Sequence, residues 1–457
     1  MVFHSFRFLI IFLPLAGLAI SLARRFDNTD NRILTKTMLA AISMFFCALS
    51  GMECLLAILL SIVINYAFSI KVHNRKALIV AALLVNIGVL VLLKSIRGGI
   101  YAPLGISFYT FSQIGYLIDC YREGTKVSFA DYAVSILFFS KLAEGPIVHV
   151  NTFVTDNGGL SGVDKKDVFA GINDGVSFLI FGLLKKLVIA DAISRFANTG
   201  FSMEKLGIWD AWLSSVAYSM ELYFDFSGYC DMAIGIALIF MIKLPQNFNS
   251  PYRARDIDDF WKRWHMTLTG FFTKYLYIPL GGNRKGTTRT YVNILIVFVV
   301  SGLWHGIGFT FLIWGALHGL FELLNKAFKK KIARIPYALS VVLTFVTVNI
   351  LWVFFRADSL KSAFCVLKGM VDFTTIGDFL TAPYMQTLKM SYPQNNTIAL
   401  VVLVIAILIV FFFKNTNELI RMIKHSYVWS IVMAVLFIAC VYIISTKNAT
   451  SSLYFNF

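Results

Sequence analysis

The sequence predicts an all-α polytopic membrane protein with about eleven transmembrane helices, accompanied by re-entrant or interfacial helices. Hydrophobic residues make up 58% of the 457 residues and charged residues only 14%, where about 25% charged is usual in soluble domains. Apolar windows of about 17 residues or more recur from one end of the chain to the other. Basic residues gather in the short segments between them, as at Arg24 and Arg25. These three observations identify the bilayer as the solvent of the chain.

Fourteen apolar segments are candidate spans, and several are too short or too interrupted to cross a membrane alone. We therefore expect about eleven crossings, with the remaining segments as re-entrant or interfacial helices. In chain order the candidates are 6–23, 34–50, 52–70, 77–94, 104–119, 132–150, 171–190, 209–224, 226–243, 290–304, 309–327, 336–355, 398–413 and 428–446.

The charge pattern sets an expected orientation and excludes one class of partner. The formal net charge is +16, and the basic loops after the first span and at Lys71–Lys76 fall on one side, expected to be cytoplasmic. This places the N-terminus outside. Without a basic face interleaved with exposed aromatic residues, nucleic-acid binding is not expected, and the lipid bilayer is the counter-charge. No linker marks a second domain, so residues 1–457 are expected to form a single domain.

The segment from Pro245 to Arg289 is too polar to span the membrane and too aromatic to be a free loop. From Asp256 onward, apolar residues recur at helical spacing, which predicts one amphipathic helix at the membrane interface. Irregular backbone at membrane depth is tolerated only where it lines a cavity or is buried in protein. A cavity open toward the cytoplasm is therefore expected here.

Three histidines near this segment are candidates for chemistry. His305 lies in the motif LWHG, His265 in RWHM and His318 in ALHG. A buried imidazole stays neutral and can accept a proton near neutral pH, as a general base must. The alternative is that each is a core or interfacial histidine held by neighbouring helices. Spacing alone does not separate these interpretations. No carboxylate lies at metal-ligand spacing from these histidines, so no metal site is expected.

The acidic and basic residues of this region also allow two interpretations each. Asp225 and Asp231 lie on different faces of an ideal helix, so each is expected to bond a facing helix or an arginine such as Arg253 or Arg255. The cluster Arg253, Arg255, Lys262 and Arg263 suits either lipid headgroups or the phosphates of a nucleotide-like donor.

Several ordered motifs resemble those of the membrane-bound O-acyltransferases, in particular the bacterial branch with the membrane subunit of alginate O-acetylation and its peptidoglycan and cellulose counterparts. One departure from many relatives is Glu144, in the LAE that precedes GPI. The motifs are PLGISFYTF (103–111), EGPI (144–147), ELYFDFSGYCDMAIG (221–235), LPQNFNSPY (244–252), FWKRWHMTLTGFF (260–272), YLYIPLGGNR (275–284), GLWHGIGFTFLIWGALHG (302–319), WVFFRADS (352–359) and the closing LYFNF.

The resemblance implies a multi-helix membrane fold around a central tunnel, with His305 and His265 as the catalytic histidines. It implies an acetyl group taken from cytoplasmic acetyl-CoA as donor substrate, with no bound cofactor. The tunnel is expected to be lined by residues of the quoted motifs: Asp225, Asn249, Trp264, Trp304 and His318. The donor's phosphates are expected at Arg253, Arg255 and Arg263.

The implied acceptor lies outside the bacterial plasma membrane. It is a polysaccharide of the alginate, peptidoglycan or cellulose type, reached through a secreted or periplasmic acetyltransferase partner that resembles SGNH hydrolases. Two alternatives remain. One is D-alanyl transfer toward teichoic acid from a carrier-protein thioester. The other is a transporter, because polar residues in a membrane tunnel also suit translocation.

Overall fold

The computed structural model describes residues 2–27, 32–95, 103–157, 165–393, 396–423 and 426–446. The regular elements of these residues are helices, and the described ranges contain no strand, as the all-α prediction requires. The chain divides into two compact units, and the prediction of a single domain stays a prediction. The first unit is Met1–Leu183, Tyr229–Gln246 and Ile420–Asn456, and the second is Leu184–Gly228, Asn247–Leu419 and Phe457. The closing motif LYFNF lies outside the described residues.

By length and composition, seven helices of the described ranges can cross a membrane, and eight can if one bent pair is a single span. The chain is therefore a multi-pass membrane protein, while the predicted count of about eleven is not confirmed. The seven are Arg7–Phe26, Met52–Lys71, Lys76–Ser95, Ile208–Ile239, Thr287–His305, Tyr337–Arg356 and Tyr427–Thr446, and the bent pair is Ala382–Ser391 with Asn396–Phe412.

Two predicted span assignments are wrong. The segments 209–224 and 226–243 form one helix, Ile208–Ile239, because no proline interrupts the polar stretch around Asp225 and Gly228 does not break the helix. The predicted span 132–150 is instead broken. Its first helix, Phe129–Leu137, ends where Phe138 leaves the helical conformation at ψ 108°, and a four-residue helix, Phe139–Leu142, follows. A single helix would have needed an uninterrupted backbone ladder there.

Three helices of the first unit are joined by buried amide side chains. The Asn65 amide hydrogen-bonds to Asn86 and Gln113 on two neighbouring helices, at 3.2 Å in each case. Such amide pairs hold helices together where both helices are apolar. Its other helices are Ile33–Ala48, Ile106–Glu123, Val150–Asn157 and Lys165–Leu184.

The second unit is built around a hairpin of two helices, Thr287–His305 and Phe309–Ile332. Their backbones approach closely because glycine faces glycine. A Cβ atom on Gly302 would lie 2.4 Å from the carbonyl oxygen of Phe311, and one on Gly315 would lie 2.4 Å from that of Phe298. Any larger residue would push the helices apart. The other elements of the unit are Lys185–Ala190, Asp191–Ser202, Pro251–Arg253, Ile257–Trp261, Met266–Phe272, Thr273–Tyr277, Leu360–Gly369, Phe373–Thr375 and the first residues of Thr416–Met422.

Candidate functional site

His305 is the last residue of the first hairpin helix. The helix stops there because Gly306 takes an extended conformation (φ −170°), while its N–H still donates to the carbonyl of Gly302. The imidazole is buried, with 5% of the residue exposed. Its ring centroid lies 4.6 Å from that of Trp304, 5.3 Å from Trp314 and 5.0 Å from Phe355. An aromatic wall therefore fixes the position of this ring.

His265 is held by the segment that precedes it in the second unit. Its Nδ1 lies 3.3 Å from Oδ1 of Asn247, and the same oxygen accepts hydrogen bonds from the N–H and hydroxyl of Thr267. Because this oxygen is an acceptor, the hydrogen bond places the imidazole proton on Nδ1. The Nε2 atom of the neutral ring is then an acceptor. Asn247 was not predicted as a site residue, although it lies in the quoted motif LPQNFNSPY.

The predicted continuous amphipathic helix after Asp256 is wrong. One helix ends at Trp261, His265 adopts a left-handed conformation (φ 44°), and a second helix begins at Met266. The break is stabilised from outside the segment, because the N–H of Met266 donates to the carbonyl of Asn247 at 2.9 Å. A left-handed backbone at a non-glycine residue costs free energy and is maintained only by such surroundings. The break lets His265 leave the helical register.

Both candidate histidines contact the indole of Trp304. Its ring centroid is 4.6 Å from that of His305 and 6.4 Å from that of His265. Two imidazoles that are distant in sequence therefore share one aromatic neighbour in the second unit. The sequence named Trp304 as a tunnel residue but did not indicate that it would lie beside both imidazoles. The catalytic roles of the two histidines stay predictions.

His318 belongs to the same aromatic region. It is fully buried, and its ring lies 4.9 Å from Trp314, which also contacts His305, and 5.0 Å from Trp261. Neither ring nitrogen hydrogen-bonds within the part of the chain that the structure describes. Trp264 is also buried, against Phe248 and Trp352. Their predicted role in lining a tunnel stays a prediction.

Asp225 forms a buried ion pair with Lys186, a residue that was not predicted as its partner. Its carboxylate lies 2.6 Å from the Nζ atom of Lys186, which is also 3.1 Å from Asp191. Both partners are almost completely buried. The prediction for Asp225 named two kinds of partner, a facing helix or an arginine such as Arg253 or Arg255. The structure has the first, because Lys186 lies on the helical segment Lys185–Ala190. The sequence did contain a signal for this pair, because Lys186 lies inside the predicted apolar span 171–190 and a charge within such a span requires a partner.

The three predicted donor-binding arginines differ in what they contact. Arg253 donates through Nε to the carbonyl of Val410 at 3.1 Å, and Arg263 pairs with Asp259 at 2.7 Å. The guanidinium of Arg255 lies 5.3 Å above the ring of Tyr337, and the residue is exposed. Of the three, Arg255 is therefore the one best placed for a ligand arriving from solvent.

Asn249 has a connecting role in the described structure. Its N–H donates to the carbonyl of Arg263 at 2.9 Å, which ties the motif LPQNFNSPY to the segment carrying His265. Its side-chain oxygen accepts a hydrogen bond from Asn415 at 3.1 Å. These contacts position the segment; the predicted contact of Asn249 with substrate stays a prediction.

Burial lowers the pKa of His265 from its ordinary value of 6.5 to about 3. At a pH between these two pKa values, the histidine of the unfolded chain binds a proton that the native ring does not bind. The stability of the native state therefore falls as the pH falls below 6.5. We expect His265 to contribute a slope of up to about 1.4 kcal/mol per pH unit in that window and none above it.

The variant His265→Gln, which cannot titrate, should show a shallower loss of unfolding free energy than the parent protein between neutral pH and about pH 5. Equilibrium unfolding in mixed detergent micelles would measure both slopes. Equal slopes for the two proteins would show that the ring is protonated in the native state.

Comparison with known proteins identifies the family of this chain. Residues 119–364 match the family model "MBOAT, membrane-bound O-acyltransferase family". The chain is 37% identical to peptidoglycan O-acetyltransferase of Helicobacter pylori over 81% of this chain and 80% of that protein. It is 41% identical to a probable alginate O-acetylase of Pseudomonas aeruginosa over 60% of this chain and 53% of that protein. A teichoic acid D-alanyltransferase of Bacillus subtilis is 31% identical over 53% of this chain and 65% of that protein.

The family match includes Asp225, His265, His305 and His318. The family and the names of the relatives identify an O-acyltransferase, and the apolar helices place it in a membrane. The chain is therefore a member of the membrane-bound O-acyltransferase family.

Proposed function

We propose that this chain transfers an acetyl group from cytoplasmic acetyl-CoA for O-acetylation of an extracytoplasmic polysaccharide of the peptidoglycan or alginate type. The observation that carries the proposal is the contact of His265 and His305 with one indole, Trp304. The acetylated polymers named for the relatives at 37% and 41% identity support the acyl group and the acceptor class.

In this mechanism His305 is the general base. Its neutral imidazole takes the proton of the acceptor hydroxyl as that oxygen attacks the thioester carbonyl. The new C–O bond forms, the C–S bond breaks, and the leaving thiolate receives the proton from the imidazolium. Because a thioester is already activated, the protein mainly aligns the two reactants. Both reach the ring through a tunnel lined by Asp225, Trp264 and His318.

The oxyanion that develops on the thioester carbonyl needs a hydrogen-bond donor. His265 does not supply this donor, because with its proton on Nδ1 toward Asn247 the other ring nitrogen can only accept. The indole N–H of Trp304 is the better candidate, and His265 instead positions that indole. His265 is thus proposed as a positioning residue rather than a donor.

The acceptor side is proposed to involve a second protein. In this account the chain lies in the bacterial plasma membrane and passes the acetyl group to a secreted or periplasmic partner that resembles SGNH hydrolases. That partner then esterifies the polymer. Glu144, which departs from the pattern of many relatives in the LAE segment, is given no role here, because nothing in the structure explains it.

Acetyl transfer can be tested with purified protein in vesicles. Labelled acetyl-CoA and a labelled D-alanyl carrier-protein thioester would be supplied in parallel, with the periplasmic partner and a polysaccharide acceptor added on the other side of the vesicle membrane. Ester formation on the partner and on the polysaccharide would be measured by mass spectrometry. We expect an acetyl ester to form from acetyl-CoA and no D-alanyl ester to form from the carrier-protein thioester. Label incorporated only from the D-alanyl donor would favour teichoic acid chemistry, and solute flux without a new ester would favour a transporter.

Arg255 provides a test of donor binding. We expect Arg255→Ala to raise the KM for acetyl-CoA about tenfold with little change in kcat, because one charge-assisted phosphate contact is lost. Arg284→Ala removes another exposed arginine of the same unit and is the matched control. If both variants shift the KM equally, Arg255 acts through the general surface charge or through lipid.

A further inference from the structure

A short segment of the second unit, residues 370–381, covers the first turn of the helix Ile208–Ile239. The first N–H of this helix donates to the hydroxyl of Thr375 at 2.9 Å. The carboxylate of Asp210 accepts the N–H and the hydroxyl of Thr381, at 3.0 and 2.7 Å. The segment is therefore tied to one end of the helix.

This end of the helix lies beside the end of a membrane span, Tyr337–Arg356. The helix that follows the span, Leu360–Gly369, packs against the same end, because a Cβ atom on Gly369 would lie 3.0 Å from that of Ala211. The span has 20 residues, a length of about 30 Å, which matches the hydrocarbon core of a bilayer. Its last residue therefore marks the surface of the membrane.

Contacts between the two helices place Ile208 near the same level. The side-chain amide of Asn349 bonds to the hydroxyls of Ser215 and Ser219, at 3.1 and 2.7 Å. Counted from these contacts, Arg356 is seven residues away and Ile208 is seven to eleven. At 1.5 Å per residue, the two helix ends lie within about 6 Å of one level. The segment that covers Ile208 is thus at the membrane surface.

Large apolar side chains of this segment point away from the protein. Four of them are between 56% and 71% exposed: Val371, Phe373, Ile376 and Phe379. The ring of Trp209, itself 41% exposed, lies 6.0 Å from that of Phe379 and extends the apolar surface onto the helix. Exposed apolar patches of this kind mark contact with a membrane or with another protein.

Two indoles hold the backbone of the segment in place. The indole N–H of Trp209 donates to the carbonyl of Ile376 at 3.0 Å, and that of Trp212 donates to the carbonyl of Met370 at 3.1 Å. Because the backbone is already fixed, burying its apolar side chains costs little further conformational entropy. Tryptophan with its ring in apolar surroundings and its N–H bonded is typical of the membrane–water interface.

We propose that the 370–381 segment lies in the interfacial layer of the bilayer, with Phe373 and Phe379 against lipid acyl chains. The bilayer is the occupant that the observations favour, because the patch lies at the level where a neighbouring span leaves the hydrocarbon core. The segment carries two carboxylates, Asp372 and Asp378, and no basic residue. Its attachment is therefore apolar and does not require anionic headgroups.

Photo-crosslinking from the segment to lipid tests this proposal. Phe379 would be replaced by photoreactive benzoylphenylalanine in the full-length protein, in vesicles of phosphatidylcholine and, separately, of phosphatidylglycerol. Leu343, exposed within the span Tyr337–Arg356, is the lipid-facing control. Glu204, whose side chain is 85% exposed and pairs with Lys361, is the control for a polar surface of the same unit. Lipid adducts would be counted by intact mass spectrometry after irradiation.

We expect the adduct yield at position 379 to approach that at 343 and to exceed that at 204 about tenfold, in both kinds of vesicle. The same replacement at Phe373 should give a similar yield. A yield at 379 and 373 no higher than at 204 would overturn the proposal. Crosslinks from these positions to protein in native membranes, without lipid adducts, would also overturn it and make the patch a protein interface. Neither result depends on the acetyl-transfer assay.

Discussion

Replacement of His305 by alanine is expected to lower the rate of acetyl transfer by about 100- to 10,000-fold, the range typical of a lost general base. The imidazole is the group proposed to take the proton from the attacking hydroxyl, and no other described histidine contacts Trp304 and Phe355 together. The rate would be measured with labelled acetyl-CoA in vesicles, at saturating donor, so that kcat is compared directly.

His305→Ala also leaves a hole among three aromatic rings, so its folding must be separated from its chemistry. His305→Gln fills more of that space and cannot act as a base near neutral pH. We expect both variants to lose activity alike while keeping the thermal unfolding profile of a folded protein. His73→Ala alters an exposed histidine of the first unit and serves as control. Near-normal kcat in His305→Gln would show that the base lies elsewhere.

Replacement of Lys186 by methionine is expected to lower the free energy of unfolding by about 3–5 kcal/mol. The variant removes the cation that lies 2.6 Å from Asp225 and 3.1 Å from Asp191, and so leaves the buried carboxylate of Asp225 without its partner. The cost comes from that uncompensated charge rather than from lost packing, because methionine has a similar length.

The double variant Lys186→Met with Asp225→Asn separates these causes. It removes the charges of Lys186 and Asp225 and leaves the carboxylate of Asp191, which is more exposed than that of Asp225, without the lysine. Much of the lost stability should therefore return. Lys361→Met breaks an ion pair with Glu204 that is exposed on both sides, and we expect little change from it. Equilibrium unfolding in mixed micelles would compare the four proteins. A double variant as unstable as Lys186→Met would assign the loss to packing around the lysine.

Composition and hydrophobic patterning were sufficient to predict a helical multi-pass membrane protein. The same pattern divided the helix Ile208–Ile239 in two, since hydropathy windows read the polar residues around Asp225 as an interruption. It also joined the segments on either side of Phe138. Local hydropathy does not report whether a partner satisfies a polar residue or whether the backbone turns, because both depend on tertiary packing.

The histidines were identifiable because ionisable residues among apolar aromatic residues call for an explanation. Their common neighbour, Trp304, was named from its motif alone. Asn247 and Lys186 were missed for a shared reason: each acts through a contact with a residue far along the chain, His265 and Asp225 respectively. Such pairings are set by the packing of the second unit, and spacing within one segment does not encode them.

The central claim is that the His305 imidazole reaches the thioester of bound acetyl-CoA. A structure of the full-length protein with a non-hydrolysable acetyl-CoA analogue would test it most directly. We predict that the carbonyl carbon of the analogue lies beside the imidazole of His305. The gap between them should admit one hydroxyl oxygen, at hydrogen-bond distance of about 3 Å from the imidazole. An analogue bound with its carbonyl remote from His305, and with aromatic side chains packed in between, would contradict the account.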